Sequence, residues 1–176
     1  GTPDYYVQKL FMNHQGSRRL GVRTQGLGEP ERKEQPLRGS IRLQGYNAEV
    51  LYRSVTLENN RTGERKDFGD YHLKKGEVSV LPAETEWEDY TISCRAVELD
   101  GFQGFQIFFG WQDEENHYCW TVGGWQNYDL LLSKRVHGCV SDLTQSLIRV
   151  SGGQEYELKL QVSGHRLCAW VDGRLC

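Results

Sequence analysis

The chain has 176 residues, 38% of them hydrophobic, which is enough for one ordinary domain with a sizeable core. Its formal net charge is −3 and no basic patch dominates, so nucleic acid is excluded as a partner. No apolar run is long enough to span a bilayer, and we expect no membrane contact.

The first residues predict a short helix followed by a linker. Thr2 and Pro3 suit a helix start, because Thr accepts free backbone N–H groups and Pro is tolerated in a first turn. Tyr6, Leu10 and Phe11 then fall at helical spacing on one face. We assign the terminal segment 1–16 to this helix. The segment 17–38 is rich in Gly, Pro, Arg, Glu and Gln without periodicity, and it predicts a linker.

From residue 39 onward, apolar and polar residues alternate in short runs separated by turns. The cleanest run lies between Tyr156 and Val162, and the most aromatic is a hairpin from Phe105 to Val122. Residues 138–150 predict a strand pair. About ten such strands predict an all-β fold, a two-sheet antiparallel β-sandwich over residues 39–176.

Aromatic rings lie beside amide groups just after Gly123 and Gly124 interrupt the second strand of this hairpin. Rings cover the apolar face of a sugar, and amides bind its hydroxyl groups. The alternative is that the same rings only pack the core and the walls of the domain. We predict a glycan-binding site formed by Trp111, His117, Trp125, Gln126, Asn127, Tyr128 and Arg135.

The sequence predicts neither a catalytic site nor a metal site. The carboxylates within residues 113–116 are typical of a solvated hairpin tip, although clustered oxygen ligands there would also suit calcium. His117 with Cys119, and His137 with Cys139, each share a strand face and would suit zinc. Structural zinc sites more usually have CxxC spacing, so we expect no metal and no cofactor.

The cysteines suggest a cellular compartment. Their number is odd and their spacing forms no compact framework, which favours free thiols in a reducing environment. We therefore expect a cytoplasmic protein. The cysteines are Cys94, Cys119, Cys139, Cys168 and Cys176.

The segment TPDYYVQKLFMNHQG, residues 2–16, resembles the last barrel helix of α-L-arabinofuranosidases of glycoside hydrolase family 51. This resemblance implies a chain that begins near the end of a catalytic barrel, with that barrel as a partner. In the family both catalytic glutamates lie on barrel strands, and a whole barrel needs about 250 residues. The resemblance therefore implies that this chain has no catalytic residues of its own.

Residues 77–176 resemble the laminin-G-like or concanavalin-like jelly-roll sandwiches, many of which are carbohydrate-binding modules. The resemblance rests on EWEDYTIS, GFQIFFGWQDEENHYCWTVGGW and QEYELKLQVSGHRLCAWVDGRL, in that order. In many of these sandwiches a segment like residues 39–57 closes the chain, whereas here it comes first. We interpret this order as a circular permutation, which folds tolerate because their termini are often close together.

Together these features predict a non-catalytic C-terminal β-sandwich of an α-L-arabinofuranosidase. It would bind plant-derived polysaccharide or oligosaccharide, or brace the catalytic barrel. Two alternatives from other classes stay open. The sandwich could itself cleave sugars, as the 3-keto-disaccharide hydrolases do, or it could be a protein-interaction module of laminin-G type.

Overall fold

The computed structural model describes residues 37–82 and 87–176. The predicted helix over residues 1–16 and nearly all of the predicted linker lie outside these ranges. Within them, strands form two antiparallel six-stranded sheets, which confirms the all-β, two-sheet fold. The first sheet has the order β4-β1-β6-β7-β8-β9 and the second the order β12-β11-β10-β5-β2-β3. The elements are β1 (Ser40–Gln44), β2 (Ala48–Asn59), β3 (Arg65–Leu73), β4 (Val78–Val80), β5 (Asp89–Gly101), β6 (Phe105–Asp113), β7 (Asn116–Gly123), α1 (Gly124–Asn127), β8 (Asp129–Val136), β9 (Cys139–Leu147), β10 (Glu155–Ser163), β11 (Arg166–Val171) and β12 (Arg174–Leu175).

The core between the sheets follows from period-2 alternation, because successive side chains of a strand point to opposite faces. In β10, Tyr156, Leu158, Leu160 and Val162 are buried. The residues between them are polar, and most are exposed. Each large apolar side chain buried in this way contributes about 1.5–3 kcal/mol.

The hairpin of β6 and β7 has one core face and one outer face. Ile107 pairs with Trp120, and both are buried in the core at 1% and 0% exposure. On the opposite face, Gln106 pairs with Thr121, and Thr121 pairs with Leu131 of β8. The outer face of the first sheet therefore presents a mixed polar and apolar row next to the end of β7.

Two strands differ from the sequence prediction. The alternation did not predict β3, where the charged and Gly-containing run RKDFGDYHL forms an edge strand beside β2. The predicted strand pair over residues 138–150 is wrong. This segment contains the single strand β9, and a register shift against β8 places Leu143 as an extra residue in the ladder. Every residue of β9 is exposed, so the strand has no buried face that would produce an alternation of apolar and polar residues in its sequence.

All five cysteines lie in the described ranges, and none forms a disulfide. Cys94 is buried in the core, and this burial raises the pKa of its thiol to about 12. Within residues 37–82 and 87–176, no helix has the length and apolar character needed to cross a membrane.

Candidate functional site

The seven predicted glycan-binding residues fall at opposite ends of the first sheet. Trp111, His117 and Arg135 lie near the turn that joins β6 to β7. The segment 125–128 lies past the other end of β7. Gly124 follows His117 by seven positions, which corresponds to about 23 Å at roughly 3.3 Å per residue. The structure therefore does not bring the predicted set together in one groove.

The ring of Trp111 is covered on both faces. His117 stacks on it with ring centroids 4.3 Å apart and planes 10° apart, and the Arg42 guanidinium carbon lies 4.0 Å from its centroid. Trp111 and His117 are only 9% and 8% exposed. This burial lowers the pKa of His117, because an apolar environment disfavours the imidazolium. The stack therefore offers no open ring face on which a sugar could lie.

Arg135 is engaged within the same end of the sheet. Its Nε donates to the Gly138 carbonyl at 3.2 Å, and one terminal nitrogen donates to the Glu114 carbonyl, also at 3.2 Å. The Asp113 carboxylate accepts from the Asn116 side chain and from the Glu115 N–H at 2.8 Å. These hydrogen bonds, led by that of Asn116, lower the pKa of Asp113. The charged groups here serve to brace two turns.

No group of three or more His, Cys, Asp or Glu side chains that could hold a metal ion is found among the residues the structure describes.

The other end of the sheet presents Trp125 on an unusual turn. Trp125, Gln126 and Asn127 have φ values of 44°, 61° and 70°, so three consecutive residues other than glycine are left-handed. Such conformations cost energy and persist only where the surrounding structure fixes them. The turn leaves Trp125 78% exposed and Tyr128 51% exposed. A large ring exposed in this way on a fixed turn is suited to contact a ligand.

Asn127 does not present its amide to solvent as we predicted. Its Oδ1 accepts hydrogen bonds from the backbone N–H groups of Gln103 at 2.8 Å and Gly104 at 3.1 Å. Its Nδ2 donates to Glu98 at 2.7 Å. The amide is therefore used inside the protein, and hydroxyl recognition at this end needs other groups.

A pocket of about 220 Å³ lies next to Trp125 and supplies such groups. Gln106 and Thr121 come from the outer-face row of β6 and β7, and the Gln106 amide donates to the Thr121 hydroxyl at 3.4 Å. The pocket thus combines an indole at its rim with amide, hydroxyl and carboxylate groups inside. Its lining residues are Gln103, Gln106, Thr121, Gly124, Trp125, Asp129 and Leu131.

Asp129 is the charged group of this pocket. The residue is 7% exposed, and its Oδ2 accepts a hydrogen bond from the Gln145 side chain of β9 at 3.0 Å. Gly124 stands beside it, and a Cβ there would lie 3.3 Å from both the Asp129 Cβ and the Thr121 Cγ2. A glycine at this position therefore leaves room between the carboxylate and the hydroxyl.

Most of the lining was missed by the sequence analysis. Of the seven predicted residues, only Trp125 lines the pocket. The available signal was the period-2 pattern, because Gln106 and Thr121 occupy outward positions that alternate with core residues. Asp129 and Leu131 come from the next strand, and their approach to Gln106 depends on strand order, which alternation does not give.

A second pocket, of about 210 Å³, is lined by Asn59, Arg61, Trp87, Glu88 and Asp89. Arg61 and Asp89 form an ion pair with each other there, and the Lys66 ammonium lies 4.9 Å from the Trp87 ring centroid. Arg61, Asp89 and the Trp87 ring thus already have partners within the protein.

Comparison with known proteins adds one relative. No family model matches the chain, and no solved structure matches it. An extracellular exo-α-L-arabinofuranosidase of Streptomyces chartreusis is 26% identical over 197 residues. That alignment covers 98% of this chain and 24% of the relative, so the chain spans about a quarter of that protein's length.

The relative also corrects one expectation. We predicted a cytoplasmic location from the cysteine pattern, and this is contradicted because the relative is, by its name, an extracellular enzyme. Over nearly its whole length, this β-sandwich is similar to one segment of an extracellular exo-α-L-arabinofuranosidase.

Proposed function

We propose that this β-sandwich is a non-catalytic glycan-binding domain of a secreted α-L-arabinofuranosidase. The observation that carries the proposal is Trp125, a 78% exposed indole at the rim of a pocket with polar groups inside. The relative supports the same assignment, because an enzyme of that name acts on a carbohydrate. The chain would hold the substrate polymer while a catalytic domain elsewhere in the parent protein cleaves it.

The groups in the pocket match the chemistry of a sugar ring. One face of the Trp125 indole can cover the C–H face of a sugar, and Leu131 adds apolar surface within the pocket. The Gln103 and Gln106 amides and the Thr121 hydroxyl can donate to and accept from sugar hydroxyls. Few directed polar groups within a partly apolar concave site are the general pattern of small-molecule recognition.

The size of the pocket sets the length of glycan that it can hold. Its 220 Å³ is below the roughly 300–1,000 Å³ of sites that enclose drug-sized ligands. The pocket is therefore suited to a short oligosaccharide. A sugar unit of about ten non-hydrogen atoms gains on the order of 3 kcal/mol at about 0.3 kcal/mol per atom. Since about 4 kcal/mol corresponds to a millimolar Kd, we expect weak binding of short oligosaccharides.

Asp129 favours a neutral glycan. A carboxylate accepts hydrogen bonds from sugar hydroxyls, and charged hydrogen bonds are stronger than neutral ones. The same charge repels an anionic sugar such as a uronic acid, so it discriminates by disfavouring the wrong ligand. The pocket therefore suits arabinosyl-containing or other uncharged plant polysaccharides better than pectic acids.

In the part of the chain that the structure describes, the pocket lacks the pair of carboxyl groups that glycosidases use for hydrolysis. Retaining glycosidases place two carboxyl groups about 5–5.5 Å apart, and inverting ones about 6.5–9.5 Å apart. Of the described residues that line the pocket, Asp129 alone carries a carboxylate. Binding without cleavage therefore fits this site better than a sugar-cleaving sandwich does.

The exposed edge strand β9 favours a second role, in which the domain contacts the rest of the parent chain. This edge strand is exposed at all nine positions, including Val140 at 62% and Leu147 at 85%. An exposed edge presents unpaired backbone groups that proteins usually cover or blunt. Because the chain spans only 24% of its relative, a catalytic domain of the parent is a fitting occupant.

Isothermal titration of the chain with arabinotriose, soluble arabinoxylan and polygalacturonate tests the proposed function. We expect millimolar to high-micromolar binding of the two neutral ligands and none of polygalacturonate. No heat with either neutral ligand, or release of free arabinose by the chain alone, would overturn the proposal. The second role is tested separately in the parent protein, by comparing amide exchange of β9 with and without its catalytic domain.

A further inference from the structure

One side chain behind the pocket links its two sides. Asn127 follows Trp125 by two residues, and its Oδ1 accepts from the backbone N–H of Gln103 at 2.8 Å. Trp125 and Gln103 both line the pocket. The Asn127 side chain therefore connects the turn that carries the indole to the segment that carries the facing amide.

A buried carboxylate supports Asn127 from the second sheet. Glu98 of β5 is 1% exposed, and its two side-chain oxygens accept from the Asn127 amide at 2.7 Å and from the Gly104 N–H at 2.9 Å. Its backbone carbonyl accepts from the Gly153 N–H at 2.7 Å. A buried charge needs such hydrogen bonds to offset its lost hydration, so its partners are held in place.

The backbone of the turn requires this support. The left-handed conformation is unfavourable for a tryptophan and for a glutamine, and asparagine tolerates it best of the three residues at 125–127. The loop between β9 and β10 adds one further contact, because the Asn127 carbonyl accepts from the Val150 N–H at 2.9 Å. Asn127 is therefore fixed at both its backbone and its side chain, whereas Trp125 projects into solvent.

We propose that Asn127, supported by Glu98, is the positioning residue of the glycan pocket. It fixes the separation between Trp125 and Gln103, so that the pocket is formed before a ligand arrives. This inference rests on the proposed function of the pocket. A preformed site binds more tightly, because no loop has to be ordered when the sugar binds.

Two matched substitutions test the proposal. Asn127→Gly removes the side-chain hydrogen bonds and keeps a residue for which the left-handed backbone carries no steric cost. Asp172→Gly is the control, because Asp172 is also left-handed, with φ of 50°, and its Oδ1 accepts from the Glu157 N–H at 2.8 Å. Both variants lose side-chain-to-backbone hydrogen bonding at a turn, but Asp172 lies between β11 and β12 and lines neither pocket.

The readouts are arabinotriose affinity and backbone ¹⁵N order parameters at a temperature where every variant is folded. In Asn127→Gly, the order parameters of residues 125 and 126 should fall from about 0.85 to below about 0.6. The affinity should fall roughly three- to tenfold, because the turn must then be ordered on binding. Asp172→Gly should change neither. Glu98→Gln, which keeps the shape of the side chain and one acceptor oxygen, should give a smaller change in the same direction.

Order parameters at residues 125 and 126 that stay at the wild-type value in Asn127→Gly would overturn the positioning role. An affinity loss no larger than that of Asp172→Gly would also overturn it, and Asn127 would then only support the fold. If the wild-type chain binds none of the glycans, the proposed function fails. The order parameters would still decide whether Asn127 fixes the turn.

Discussion

Replacing Trp125 by alanine separates the proposed glycan site from the fold. A tryptophan offers up to about 250 Å² of surface, and Trp125 keeps 78% of its surface exposed. If a sugar covers one face, about 100 Å² of this exposed area is buried on binding. At roughly 25 cal/mol per Å², the indole contributes about 2.5 kcal/mol, and its loss should weaken binding about 60-fold.

The same substitution should affect stability little. The buried part of the Trp125 surface, about a fifth, is about 55 Å², which corresponds to at most about 1.4 kcal/mol of folding free energy. For a domain of this size, that lowers the Tm by no more than about 6 °C. By contrast, Trp120 is 0% exposed, and Trp120→Ala should cost about 3–5 kcal/mol of folding free energy.

Titration calorimetry with arabinotriose and a thermal melt of each variant measure both quantities. Trp125→Phe is the matched control, since it keeps an aromatic face at the same position and should retain most of the affinity. The reasoning is refuted if Trp125→Ala binds as tightly as the wild type. It is equally refuted if Trp125→Ala destabilises the domain as much as Trp120→Ala does, because Trp125 would then be part of the packing.

Three further outcomes are expected. Asp129→Asn should weaken arabinotriose binding about threefold to tenfold, because the pocket loses a charged hydrogen-bond acceptor. The same variant should permit measurable polygalacturonate binding. Unchanged selectivity in titration would count against Asp129 as the discriminating group. Because burial lowers the pKa of His117, its contribution to stability is present above the unfolded pKa near 6.5 and is lost as the pH falls from there towards the folded value. His117→Phe should therefore flatten the dependence of Tm on pH between about 7.5 and 5, and an equally steep dependence in the variant would contradict this. With iodoacetamide at about pH 8, the exposed Cys139 should react before the buried Cys94, because burial raises the pKa of the Cys94 thiol to about 12. Peptide mass mapping that shows the reverse order of alkylation would contradict the burial argument.

The fold was predictable where one face of a strand is buried. Tyr156, Leu158 and Leu160 alternate with polar residues because only one face of β10 meets the core. In β9 both faces are exposed, so the chain there carries no apolar period and was misread as a strand pair. In β3, an edge strand, charged residues obscure the alternation.

The lining of the candidate site was predictable only at Trp125. Aromatic residues next to a glycine pair pointed to Trp125, but most of the other side chains that line the pocket come from strands β6, β7 and β8. Asp129 of β8 and Gln106 of β6 line the same pocket because β7 lies between their strands in the sheet, and this strand order cannot be read from the sequence. Trp111 and His117 looked equivalent to Trp125 in sequence, yet a stack beneath the Arg42 guanidinium buries them. Composition along a strand cannot show such stacking.

The solvated strand β9 has a consequence for how the pocket responds to temperature. A strand that buries no side chain is held mainly by its ladder to β8, so it belongs among the parts of a domain that open locally before global unfolding. Gln145, which donates to Asp129, lies on that strand. When β9 detaches, the carboxylate loses its partner while Trp125 stays in place, because Asn127 is tied to β5 through Glu98. On warming, hydroxyl recognition should therefore weaken before ring stacking does, at temperatures where the sandwich as a whole is still folded.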